Sequence, residues 1–100
     1  MAGRAGGFRL TPRAEVDLED IFAYTARRWS LIQAEDYHAG FAAAFEKLAS
    51  GERSGGIADV SGGYLKYAVG SHLVFYRETG HDIVIVRILH QRMDVERHLE

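Results

Sequence analysis

The chain has 100 residues, 47% of them hydrophobic and 26% charged, which is material for one core and one folded domain. No run approaches the ~20 apolar residues that span a bilayer and no signal-peptide pattern opens the chain, while the lack of cysteine excludes disulfides, thiolate metal sites and a cysteine nucleophile. A net charge of −2, with six Lys/Arg against seven Asp/Glu in each half, argues against a direct grip on nucleic acid, because each phosphate held calls for a cation.

Residues 1–7 are rich in Ala, Gly and Arg and read as a loose tail, with a single domain over 8–100. Phe8-Arg9-Leu10 alternates as a short strand. Thr11-Pro12 then pairs an N-cap with proline at the first helical position, where its missing N–H costs nothing. Ala14, Leu18, Ile21, Phe22, Thr25 and Trp29 follow at spacings of three and four, which predicts one apolar helical stripe. Acidic residues fill the first half of this helix and Arg27 and Arg28 its last turn, as the helix dipole favours. Ser30 and Gln33 form a capping box for a second helix, whose stripe is Ala34, Tyr37, Phe41, Ala44, Phe45 and Leu48, and Ser50-Gly51 ends it. With almost no linker the two helices must fold back as an antiparallel hairpin.

Gly51 to Gly63 holds five glycines and two serines and reads as a loop. Three strands follow: Tyr64 to Val69, His72 to Arg77 after a Gly70-Ser71 turn of the Gly-X type, and Asp82 to Leu89. The third is apolar on both faces and therefore central. The polar end, Gln91 to Glu100, has room for a helical turn or two. The order β-α-α-β-β-β predicts an α+β fold, an antiparallel-type sheet with the helical hairpin on one face and a short C-terminal segment. Nothing in the chain supplies a full second layer, so the other sheet face is expected to stay open and to mark a binding surface.

The chemistry-bearing residues are sparse. Five histidines occur without H-x-x-x-H or H-E-x-x-H spacing, so no metal site and no cofactor is expected. Glu15, Asp17, Glu19 and Asp20 read as a solvated first helical half, and the glycine-rich stretch lacks the ending of a phosphate loop. No catalytic residues are assigned. Arg87 stands out, since it interrupts the most apolar strand, where an unpaired charge would cost several kcal/mol. It reaches a carboxylate at the sheet edge or lies on the open face. Ile83, Ile85 and Leu89 share its parity and Val84, Val86 and Ile88 have the other, with the choice of face left open.

Three segments carry a family resemblance that runs from Leu10 to Leu99. Leu10-Thr11-Pro12-Arg13-Ala14-Glu15 with Asp17-Leu18 and Ile21 resembles the opening helix of ParE toxins, Val69 to Arg77 their hairpin, and Ile88-Leu89-His90-Gln91-Arg92-Met93-Asp94-Val95 their ending. The wider RelE/ParE fold has the element order derived above. The resemblance implies a cytoplasmic, non-enzymatic toxin that inhibits DNA gyrase and is neutralised in a hetero-oligomer by a ParD-like antitoxin, with no membrane involvement. The alternatives are a ribosome-dependent messenger-RNA endonuclease of the RelE kind, or a non-toxic relative that only binds its antitoxin. His72, where some RNA-cutting relatives place an arginine, and the acidic end, Asp94 to Glu100, count against the endonuclease alternative, while Lys66 and the proline-free Gly51–Gly63 loop depart from the ParE pattern. Tyr24, Tyr37, Val74, Tyr76 and Arg87 are expected to meet the antitoxin. His90, Gln91, Arg92, Met93 and Asp94 are expected to meet the target, since Arg and Met favour interface cores.

Overall fold

A computed structural model describes residues 6–60 and 62–99, the side chain of Glu96 apart. Local signals set the element order. Strand β1 (Phe8–Leu10) leads into α1 (Pro12–Arg28), whose cap Thr11 accepts from the N–H of Ala14. Ser30 accepts from the N–H of Gln33 to start α2 (Leu31–Ser50), and Gly51 ends it in the left-handed conformation at φ 83°. There follow β2 (Gly56–Ile57), β3 (Leu65–Val69), β4 (His72–Thr79), β5 (Asp82–His90) and α3 (Val95–Leu99). The two-residue β2 lies inside the stretch expected to be pure loop. Of the expected tail, residues 1–5 lie outside the described residues, whereas Gly7 is tied to the sheet by its N–H to Asp82 Oδ1 (2.9 Å) and by its carbonyl, which accepts from Ile83 (3.1 Å).

The five strands form one sheet in the order β1-β5-β4-β3-β2. Every pairing is antiparallel except β1 on β5, which is parallel because the whole helical hairpin intervenes before the chain returns. Strand β1 covers β5 only as far as Ile85. Beyond it the outer edge of β5 would present unpaired backbone groups. The start of α1 fills that gap. The N–H of Thr11 donates to Ile85 O (3.0 Å), its Oγ1 donates to Val86 O (2.8 Å), and the N–H of Ile88 donates to Asp17 Oδ2 (2.9 Å).

Asp17 also receives Nε and Nη2 of Arg87 at 2.8 and 2.9 Å, a bidentate pair whose side chains are only 10% and 11% exposed. Arg87 Nη1 donates to His98 O (2.9 Å) and so ties down α3. Of the two outcomes open for Arg87, the structure has the carboxylate at the sheet edge.

Alternation along β5 breaks in the middle. Phe75 pairs with Arg87 but Tyr76 pairs with Ile85, so Val86 is an extra residue, a β-bulge. It changes the parity. Ile83, Ile85 and Ile88 all join the core beneath the helices with Phe41, Phe45, Leu48, Val74 and Tyr76, while Val86 and Leu89 turn to the opposite face. That face is not open as expected. A second, smaller core of Ala58, Tyr64, Phe75, Leu89 and Leu99 covers it, supplied by the stretch before β3 and by α3.

Removing one partner of a buried ion pair strands the other charge. Asp17→Ala is expected to lower stability by about 3–5 kcal/mol in a urea unfolding series, with protection of the β5 amides lost in hydrogen exchange.

Candidate functional site

Tyr37 continues the apolar stripe of α2 and carries its hydroxyl past the core to the β3–β4 turn. Gly70 sits at φ 56° there, and a Cβ on it would lie 2.7 Å from the Tyr37 ring, so glycine is required twice over. The hydroxyl closes the turn. It donates to Val69 O (3.0 Å), accepts from the N–H of Ser71 (3.1 Å) and lies 2.7 Å from His72 Nδ1. A phenol has one proton. With that proton on Val69 O, neutral His72 carries its own on Nδ1 and donates it to Tyr37, leaving Nε2 as the bare nitrogen.

His72 and His90 are cross-strand partners with ring centroids 5.3 Å apart, edge to face. Burial first, and then the neighbouring His90, push the pKa of His72 down to about 4, against an opposing pull from Asp17. His90 Nδ1 in turn accepts the N–H of Arg92 (3.1 Å). The N–H of Gln91 reaches Ser71 O (3.0 Å) and that of Met93 reaches His90 O (2.9 Å), so the turn after β5 is fixed by its main chain.

Tyr37, Gly70, Ser71, His72 and His90 line an open cleft of about 560 Å³. Tyr24, Thr25, Trp29, Gln33 and Asp36 complete its lining. Tyr24 and Trp29 are about 60% exposed, and Leu31 and Ile32 at the elbow of the helical hairpin are more than half exposed. Large aromatic and aliphatic side chains left in water beside a cleft are the composition of a protein-binding surface. Among the described residues, no three His, Asp or Glu come together as a metal site.

The structure thus brings Tyr24, Tyr37 and His90 to one cleft, and Gln91, Arg92, Met93 and Asp94 lie exposed just beyond it. Val74 and Tyr76 are buried, contrary to the expectation that they contact a partner, and Arg87 lies outside this cleft and lines another beside α3. Val74 is wholly inside the helix-side core, Tyr76 is 3% exposed with its hydroxyl accepting from the N–H of Gly55 (2.8 Å), and Arg87 is held by Asp17. They support the surface from within. Sequence reasoning missed Trp29, Leu31 and Ile32. The signal was present, since Leu31 and Ile32 are apolar yet fall outside the stripe of α2.

Because His72 takes up its proton near pH 4 when folded and near 6.5 when unfolded, the unfolded chain binds more protons between those values. Stability therefore falls as pH drops from about 6.5 to about 4, and His72→Gln is expected to flatten that slope in thermal melts. Tyr37→Phe removes the turn's central acceptor and is expected to cost about 1–3 kcal/mol, read as a lower unfolding midpoint.

The family model for "ParE toxin of type II toxin-antitoxin system, parDE" matches residues 8–95. The chain is 43% identical over 94 residues to Toxin ParE1 of Mycobacterium tuberculosis, covering 92% of this chain and 96% of that one. It is 41% identical over 93 residues to Toxin ParE1 of Caulobacter vibrioides, at the same coverage, and 36% identical over 90 residues to Toxin ParE of Escherichia coli. Among solved structures it matches a chain of the chromosomal ParDE TA system from P. aeruginosa with a TM-score of 0.73 at 18% identity, over 85% of this chain and 95% of that chain, a likeness of fold. With the frame β1-α1-α2-β2-β3-β4-β5-α3 and the matched stretch reaching from β1 to the start of α3, the chain belongs to the ParE toxin family of type II toxin–antitoxin systems.

Proposed function

We propose that this chain is a cytoplasmic toxin that inhibits DNA gyrase by protein–protein contact and is silenced by a ParD-like antitoxin laid over the aromatic cleft. The observation that carries the antitoxin reading is the exposed set Tyr24, Trp29, Leu31 and Ile32 around the cleft that Tyr37 and His90 line. Lasting neutralisation calls for nanomolar binding, about −12 kcal/mol, over more than roughly 1,000 Å². Rigid aromatic anchors beside a cleft supply such affinity at small entropic cost.

The gyrase reading rests on the resemblance of Ile88 to Val95 to the family ending and on the exposure of Gln91, Arg92, Met93 and Asp94. Their side chains stand out from a turn held by main-chain hydrogen bonds, a rigid mount for a contact loop. The adjacency of the two surfaces gives neutralisation a simple route, because an antitoxin seated in the cleft against His90 would stand beside the toxin's contact loop. No step in this reading is catalytic.

Two substitutions separate the surfaces. Trp29→Ala is expected to weaken antitoxin binding by about 10–100-fold, with gyrase inhibition by the free toxin intact. Arg92→Ala is expected to abolish inhibition in a supercoiling assay while antitoxin affinity and melting temperature stay within error. A stable Arg92→Ala protein that still inhibits fully places the target contact elsewhere.

A further inference from the structure

A second cleft, of about 340 Å³, lies between the start of α1 and α3. Its lining is strongly one-signed. Arg13, Arg87, Arg97 and His98 meet there, in a chain whose net charge is −2. Among the described residues no carboxylate lines it. The carboxylate bound to Arg87, that of Asp17, already accepts three hydrogen bonds. Arg13 and Arg97 are exposed, and among the described residues neither has an ion pair.

Stability alone does not account for this gathering. Arg13 stands in the first turn of a 17-residue helix, where the dipole is positive and an acid would be favoured. It shares the cleft with Arg97, while the charge of Arg87 is already matched by Asp17, so among the described residues two uncompensated guanidiniums line the same small space. Such a site is relieved by an anion. Guanidiniums favour a planar, two-oxygen acceptor such as a carboxylate. The rest of the lining is Thr11 and apolar surface from Val86, Leu99 and the Tyr64 ring, against whose π-system Arg77 is stacked at 4.4 Å.

We propose that this cleft binds an acidic peptide segment of a protein partner, a Glu or Asp on Arg13 and Arg97 with a neighbouring apolar side chain against Val86 and Leu99. A nucleic-acid strand is the less suitable occupant. Its affinity grows with the number of phosphates neutralised along a track, and this cleft offers a confined cluster in an acidic chain. The proposal stands on the cleft itself and is independent of which target the toxin has.

The test uses the full-length chain, labelled with ¹⁵N, and a blocked hexapeptide of alternating leucine and glutamate. Titration at low salt is expected to shift the side-chain Nε–H resonances of Arg13 and Arg97 and the amides of α3. R13Q/R97Q is expected to weaken binding by at least about tenfold with an unchanged melting temperature, and high salt to do the same. A peptide with glutamine in place of glutamate should not bind. Equal binding of the glutamine peptide overturns the proposal, as does a shift confined to Tyr24, Trp29 and their neighbours. Binding of a DNA duplex or of inorganic phosphate in preference to the peptide reassigns the cleft to phosphate and also overturns it. So does binding that appears only in E100Q, which would make the chain's own acid the occupant.

Discussion

The Asp17–Arg87 pair closes the one place where the sheet would otherwise fail. Strand β5 is central, yet its neighbour β1 is only three residues long and stops at Ile85. Past that point a helix has to stand in for a strand, and a helix has no backbone donors or acceptors to spare along its side. Side chains supply them instead. Thr11 serves the carbonyl of Val86 and Asp17 the N–H of Ile88, and the charge that Asp17 brings is matched by Arg87 from the strand itself. A buried pair of this sort adds little net stability over an apolar pair of equal shape. Its value here is positional, because it fixes where α1 crosses β5 and, through His98 O, where α3 lies.

The bulge at Val86 follows from the same arrangement. Arg87 must point to the sheet edge where Asp17 stands, and strict alternation would then send Ile88 away from the helices. One extra residue restores Ile88 to the helix-side core opposite Val74 and gives Leu89 to the second core opposite Leu73. The strand thereby feeds two apolar layers and one ion pair in nine residues. The helix-side layer holds most of the bulk, and the smaller layer depends on Tyr64 and Leu99, joined by a hydrogen bond from the Tyr64 hydroxyl to Leu99 O (3.3 Å).

What could be read from the residues was whatever is locally encoded. Thr11-Pro12, Ser30 with Gln33, and Gly51 each act within a turn of their own position, so both helices and their hairpin were legible, as was the Gly70-Ser71 turn. Arg87 was legible as an anomaly that needed a carboxylate, but its partner lies seventy positions away and looked like any solvated acid. The bulge could not be read, because period-two alternation carries no mark of where it slips. Which face of the sheet the helices cover is equally unmarked, and that choice is what places Val74 and Tyr76 in the core instead of on a partner surface. Tyr24, Tyr37 and His90 reached the cleft because exposed aromatic and end-of-strand positions do not depend on which sheet face is covered. The parallel pairing of β1 is a long-range choice that no local pattern states.

Both candidate surfaces hang on β5. His90 at its end lines the aromatic cleft and Val86 and Arg87 line the basic one. A substitution within the strand would shift the two together and would say nothing about either. The side chains that can be varied independently are those on the flanking elements: Tyr24 and Trp29 on the helical hairpin, Arg13 on the first turn of α1 and Arg97 on α3. All four are exposed, and none is among the buried residues of either core. Loss of function at such a position, with the fold intact, is a statement about contact. A rigid centre that carries the load, with exposed side chains around it, lets each surface be varied without disturbing the other.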